Sequence, residues 1–131
     1  MTVAGILAEL GPLREYRNAG QLIKMAGTNP TEWESAGKRG VHTPISKKGR
    51  PGLRWCLWTA ARSLLRHNTD FRRWAKERLE RPAHLHPLKM REVFGAVVNR
   101  LLRVSFALVK KETFYRIPVP CAATEFQLIT V

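Results

Sequence analysis

The fold turns on residues 87–111, PLKMREVFGAVVNRLLRVSFALVKK. Met90, Val93, Phe94, Val97, Val98, Leu101, Leu102, Ser105, Leu108 and Val109 recur at intervals of three and four, which places them on one wide side of a helix. Pro87 suits a first helical turn, where a missing N–H is no loss, so the spacing predicts one long helix from Pro87 to about Lys111. A stripe of that length must be covered. In a chain of 131 residues, with room for one core, it serves as the spine of a small domain.

Outward from this spine, RPAHLHP interrupts the chain, and a fourth helix is expected from Asp70 to Leu79 with Phe71, Trp74, Ala75 and Arg78 on one side. His67-Asn68-Thr69 reads as a break. A third helix opens at Pro51 and carries Leu53, Leu57, Ala60, Ala61, Leu64 and Leu65 at helical spacing. The glycine- and proline-punctuated stretch 28–50 reads as a loop. A second helix, Ala19 to Met25, has Asn18 as its cap and ends at Gly27; a first, Thr2 to Leu10, stops at Gly11-Pro12. No convincing strand is found. The expected fold class is therefore all-α, a small helical domain of about five helices over residues 1–115. The tail, 116–131, has Pro118 and Pro120 and no helical period.

Charge is the informative total. Lys and Arg number 23 against 10 Asp and Glu, a formal +13, and a field of that sign draws polyanions. No acid occurs from Ser35 to Thr69, whereas Lys38, Arg39, Lys47, Lys48, Arg50, Arg54, Arg62 and Arg66 all do. Such segregation points to a binding face, since a merely solubilising surface mixes signs. Cys56 and Cys121 lack partners at zinc-ligand spacing, so two reduced thiols are expected, with Cys56 in the core. Most of the ten carboxylates fall at helix ends or on polar faces as ordinary solvated charges, which argues against a self-contained two-metal nuclease. No phosphate-binding loop of nucleotide hydrolases, signal peptide or membrane-length apolar run is present. A cytoplasmic location is expected.

The candidate site is WESAGKRGVHTPISKKGRPGLR, residues 33–54. Lys38, Arg39, Lys47, Lys48, Arg50 and Arg54 can neutralise phosphates, and Gly37, Gly40 and Gly49 allow close backbone approach. The start of the third helix aims its free N–H groups at the same loop. Two serines, Ser35 and Ser46, lie among these cations, which would stabilise charge growing on a phosphoryl group under attack. Composition alone favours neither, because most serines in basic loops only bond a phosphate or cap a helix.

These residues carry a resemblance. GQLIKMAGTNPTEWESAGKRGVHTPISKKGRPGLRWCLWTAA (20–61), FRRWAKERL (71–79) and PLKMREVFGAVVNRLLRVSFALVKKETFY (87–115) resemble the C-terminal domain of insertion-sequence transposases of the IS-one-ten and IS-one-sixteen type. This group is related to the Piv invertases and includes the bridge-RNA-guided recombinases. The likeness covers Val3 to Tyr115. It implies a DNA-binding domain that supplies a serine nucleophile for strand exchange in transposition. A separate N-terminal domain bearing an Asp-Glu-Asp-Asp site would bind a divalent metal such as Mg, so no cofactor is expected in this chain. Aligned without gaps from MAGTNP through ISKKG, the nucleophile falls on Ser35, with Ser46 as a structural or phosphate-contacting serine. Family members often carry Gly directly after the nucleophile or within two residues of it; here Ala36 intervenes before Gly37.

The metal domain and the Pro-Gly-Ile-Gly hairpin of the family lie outside this sequence, so the chain is expected to begin at the second helix of a helix-hairpin-helix and to be inactive alone. The expected partners are DNA, a structured guide RNA, and the metal domain or further transposase subunits, with no membrane. The alternative is a non-catalytic nucleic-acid-binding helical protein, a decayed transposase remnant. A basic RNA-binding scaffold would account for the charge but not for the order of motifs.

Overall fold

The computed structural model describes residues 2–30, 34–35, 38–39, 44–82 and 88–117, with residues 34–35 and 38–39 described by backbone alone. The all-α expectation holds. Among the described residues the domain is built from five α-helices: α1 (Thr2–Leu10), α2 (Ala19–Ala26), α3 (Pro51–His67), α4 (Thr69–Leu79) and α5 (Met90–Lys111), with one 3-10 turn at Leu13–Glu15. A two-residue antiparallel pair, β1 (Glu34–Ser35) with β2 (Lys38–Arg39), lies in the stretch read as loop; Glu34 faces Arg39 and Ser35 faces Lys38. Two residues per strand are too few for an alternating pattern to register in the sequence.

The helix α5 is the spine. Val93, Val97, Val98 and Leu102 are buried along it, and α2, α3 and α4 all pack against it. Leu22 and Ile23 of α2, Leu53, Leu57 and Ala61 of α3, and Phe71 and Ala75 of α4 complete one core. The helix α1 lies chiefly on α3, close enough that a Cβ added to Gly5 would stand 2.8 Å from Cys56 Sγ. Cys56 is accordingly half-buried at this helix contact, not in the core as expected.

Caps explain most boundaries. Asn18 Oδ1 accepts from Gln21 N at 3.1 Å to start α2, and Gly27, at φ 68°, ends it in the left-handed conformation that only glycine adopts cheaply. Asn68 closes α3 and caps α4, its Oδ1 accepting from the N–H groups of Asp70 and Phe71. The spine begins at Met90, not Pro87, because Glu92 folds back and accepts from Lys89 N at 2.7 Å, which fixes the first turn there. Pro87 itself lies outside the described residues. Met90, read as part of the buried stripe, is 56% exposed at this helix start.

Asp70 is the largest departure from expectation. Read as an ordinary solvated charge, it is 4% exposed. Arg100 of α5 donates to its Oδ2 at 2.8 Å, Arg73 to its Oδ1 at 3.3 Å, and the Tyr115 hydroxyl to its Oδ2 at 3.1 Å. Burial is tolerated because the carboxylate is paired and bonded from three sides. Burial together with the neighbouring Asp70 charge also pushes the Tyr115 phenol above its ordinary pKa.

Candidate nucleic-acid interface

The site is organised by the end of α2. Beyond Gly27, Thr28 is buried, and its hydroxyl donates to Asn99 Oδ1 at 2.6 Å while Asn99 Nδ2 returns a bond to the Thr28 carbonyl at 3.2 Å. This reciprocal pair fastens the AGTNP segment to the spine. On it docks the stretch 45–50, running antiparallel. Pro30 bridges Ile45, Ser46 N donates to Asn29 O at 2.9 Å, Lys47 N to Gly27 O at 3.0 Å, and Arg50 N to Met25 O at 2.9 Å. Gly49 passes against the α2 terminus so closely that an added Cβ would stand 2.3 Å from both Gly27 N and Met25 O. Pro30 and Ile45 therefore meet, and the sequence between them carries Ser35, Lys38 and Arg39. The side chains of those three residues lie outside the described set.

The sequence-assigned cations divide into two kinds. Lys47 and Lys48 are exposed, and no carboxylate pairs with either among the described residues. Lys47 also holds a left-handed φ of 54°. Arg50 and Arg54 are engaged. Arg50 Nη1 donates to the Glu9 carbonyl at 2.7 Å and approaches Glu9 Oε2 at 3.4 Å; Arg54 Nη1 donates to Ala26 O at 3.2 Å and approaches Lys47 O at 3.4 Å. These two guanidiniums fasten the segment to α1 and α2. Ser46 is similarly placed, its hydroxyl donating to Asn29 Oδ1 at 2.6 Å.

The first turn of α3, expected to face a phosphate, meets a protein anion. A Cβ added at Gly52 would stand 2.9 Å from Glu9 Oε1, so the Glu9 carboxylate sits at the positive end of the helix dipole. Free positive charge is instead found along Lys47, Lys48 and the exposed side of α3. Sequence reasoning missed Thr28–Asn99 and the Asp70 network, because each joins residues that chain position does not bring together. The one local cue was Thr28-Asn29-Pro30 directly after a helix-ending glycine, which marks a turn whose polar groups need partners. Among the described residues no three His, Cys, Asp or Glu side chains gather where an ion could be held, and no helix is long and apolar enough to cross a membrane.

Comparison with known proteins fits this arrangement. The family model described as the Transposase IS116/IS110/IS902 family matches residues 1–76, which span α1 to most of α4, including the docked segment. A Pseudomonas aeruginosa protein described as a probable family 20 transposase is 31% identical over 121 residues, covering 88% of this chain and 33% of the relative. The Coxiella burnetii transposase for insertion sequence element IS1111A is 30% identical over 120 residues, covering 88% of this chain and 31% of its own length. The chain thus spans about a third of the length of the curated relatives it matches. With more than half of its residues matched, the chain belongs to the IS116/IS110/IS902 transposase family.

Proposed function

We propose that this chain is the serine-bearing, DNA-binding domain of an insertion-sequence transposase, acting in strand exchange with a metal centre from outside these 131 residues. The observation that carries the reading is the docked segment 45–50. It presents Lys47 and Lys48 beside the Pro30–Ile45 bridge, between whose residues Ser35 lies in the sequence. In this reading Lys38, Arg39, Lys47 and Lys48 hold backbone phosphates, while Ser46, Arg50 and Arg54 keep the segment seated. Ser35 Oγ attacks a DNA phosphorus. The Oγ–P bond forms, a P–O bond of the strand breaks, and the departing oxygen takes up a proton while serine loses one, leaving a phosphoserine link to the strand end. Among the described residues no set of metal ligands gathers, and Asp70 is held by Arg100, Arg73 and Tyr115. A divalent ion such as Mg, a guide RNA and further subunits would be brought by partners.

The test supplies the metal-binding domain of a relative in trans with nicked or junction DNA and looks for DNA covalently attached to protein. The wild type should form the adduct, and Ser35→Ala should not. Equal adduct from both proteins removes Ser35 from the role. DNA binding with no adduct on any substrate turns the reading to a non-catalytic nucleic-acid-binding domain.

A further inference from the structure

Between α3 and α5 runs a groove of about 330 Å³, lined by Trp55, Trp58, Thr59, Arg62, Arg91 and Phe94. We propose that it receives an unpaired DNA strand, stacking an exposed base on its aromatic wall while the two guanidiniums hold the adjoining phosphates. Trp55 is 70% exposed, a large ring left uncovered on a helix whose other apolar residues pack inward. Trp58 and Phe94 lie 5.7 Å apart between ring centroids, tilted by 40°, so one wall is held in place by its own packing. No acid lines the groove, and no carboxylate among the described residues pairs with Arg62 or Arg91.

This composition selects its ligand. A duplex hides its base faces and asks only for cations, whereas an unpaired base offers a π face that aromatic rings accept whatever its identity. An apolar peptide would bury the two arginines without compensation. The choice of DNA rests on the function proposed above. Position supports it as well. Arg54 lies four residues before Trp58, on the same side of α3, and its guanidinium reaches the Lys47 carbonyl. Ile45 Cγ2 lies 4.0 Å from where a Cβ on Gly95 would stand, beside Phe94. The groove therefore opens about one helical turn, roughly 5 Å, from the cationic segment, where a strand peeled from a duplex would arrive.

The test uses the full chain and fluorescence anisotropy with a labelled oligothymidylate, an abasic strand of equal length and charge, and an oligouridylate. The base-bearing strand should bind about 5- to 150-fold more tightly than the abasic one. Trp55→Ala, at an exposed position, should bring that ratio close to one while the circular dichroism spectrum is unchanged. Arg62→Gln with Arg91→Gln should weaken both strands alike and lower the salt slope by about 1.4. Equal binding of the base-bearing and abasic strands, or a ratio that survives Trp55→Ala, overturns the proposal. So does preference for oligouridylate, which would make the groove an RNA site. If duplex DNA still binds when the ratio is one, only the groove fails; if no nucleic acid binds in any form, the function proposed above fails with it.

Discussion

Replacing Gly49 by Ala tests how the cationic segment is held. The added Cβ would stand 2.3 Å from Gly27 N and Met25 O and 2.5 Å from Ala26 C, where ordinary contact begins near 3.4 Å. All three obstacles are backbone atoms at a helix terminus and cannot swing aside, so the segment must retreat by about 1 Å. The bonds Lys47 N to Gly27 O, at 3.0 Å, and Arg50 N to Met25 O, at 2.9 Å, would then lengthen to about 4 Å and cease to be hydrogen bonds. At about 1 kcal/mol net for each bond, with overpacking relieved only in part, the docked state loses roughly 2–4 kcal/mol. That compares with about 5–15 kcal/mol for a whole domain, so the segment should open while the core stays folded. Native-state hydrogen exchange should show the Lys47 and Arg50 amides losing protection by roughly thirty- to several-hundred-fold, with the α5 amides little affected. Gly11→Ala is the control: its φ of 67° carries strain, but nothing lies within 4 Å of the new Cβ, so those two amides should keep their protection. Wild-type protection of both amides in Gly49→Ala would refute the docking geometry.

Other consequences follow from the same contacts. Asp70→Asn leaves Arg100 and Arg73 facing a neutral amide in a buried site and should lower unfolding stability by about 3 kcal/mol, read from the urea midpoint; a loss below about 1 kcal/mol would remove the network from the stability of the fold. The fold favours the neutral Tyr115 phenol, so its contribution is fully present below the ordinary pKa of about 10 and is lost as pH rises through the higher folded value. Phenolate absorbance of the wild type minus that of Tyr115→Phe should accordingly titrate above 10, and a midpoint at or below it contradicts the assignment. Asn99→Ala strands the Thr28 hydroxyl and should cost about 1–3 kcal/mol in thermal or urea unfolding, with part recovered when Thr28→Val is added. Lys47→Ala with Lys48→Ala should weaken duplex DNA binding and lower its salt slope by about 1.8; an unchanged slope moves the phosphate contacts elsewhere.

What could be read in the sequence was what neighbouring residues decide. The four-residue recurrence in α5, the Asn18 and Gly27 boundaries of α2 and the Asn68 break between α3 and α4 are each fixed within a turn or two of chain, and each helix was found. The start of α5 was misplaced because proline preference pointed to residue 87, while the Glu92 carboxylate selected Lys89 as the cap. Asp70 looked solvated because its decisive partner, Arg100, is thirty residues away. Arg50 and Arg54 looked like free cations because the carbonyls they bind belong to α1 and the α2 terminus. Charge can be counted along a chain, but whether a charge is free depends on tertiary neighbours.

The same distinction bears on the two serines. Composition could not separate Ser35 from Ser46, and the preference for Ser35 came from resemblance. The geometry adds a physical argument about Ser46 that does not depend on it. A serine nucleophile must pass its proton to a base as it attacks, and the Ser46 hydroxyl donates to Asn29 Oδ1, an amide oxygen with no useful basicity. Its backbone N–H is bonded to the Asn29 carbonyl as well, so turning the hydroxyl toward a phosphate would break one bond while the other still held the residue to the segment that follows α2. Ser46 is therefore suited to fastening the segment. Ser46→Ala should loosen the Lys47 amide in hydrogen exchange and weaken DNA binding modestly, yet still permit a covalent protein–DNA adduct when the metal domain is supplied. Loss of the adduct in a Ser46→Ala protein that still binds DNA would return Ser46 to the chemistry and undo the division of roles drawn here.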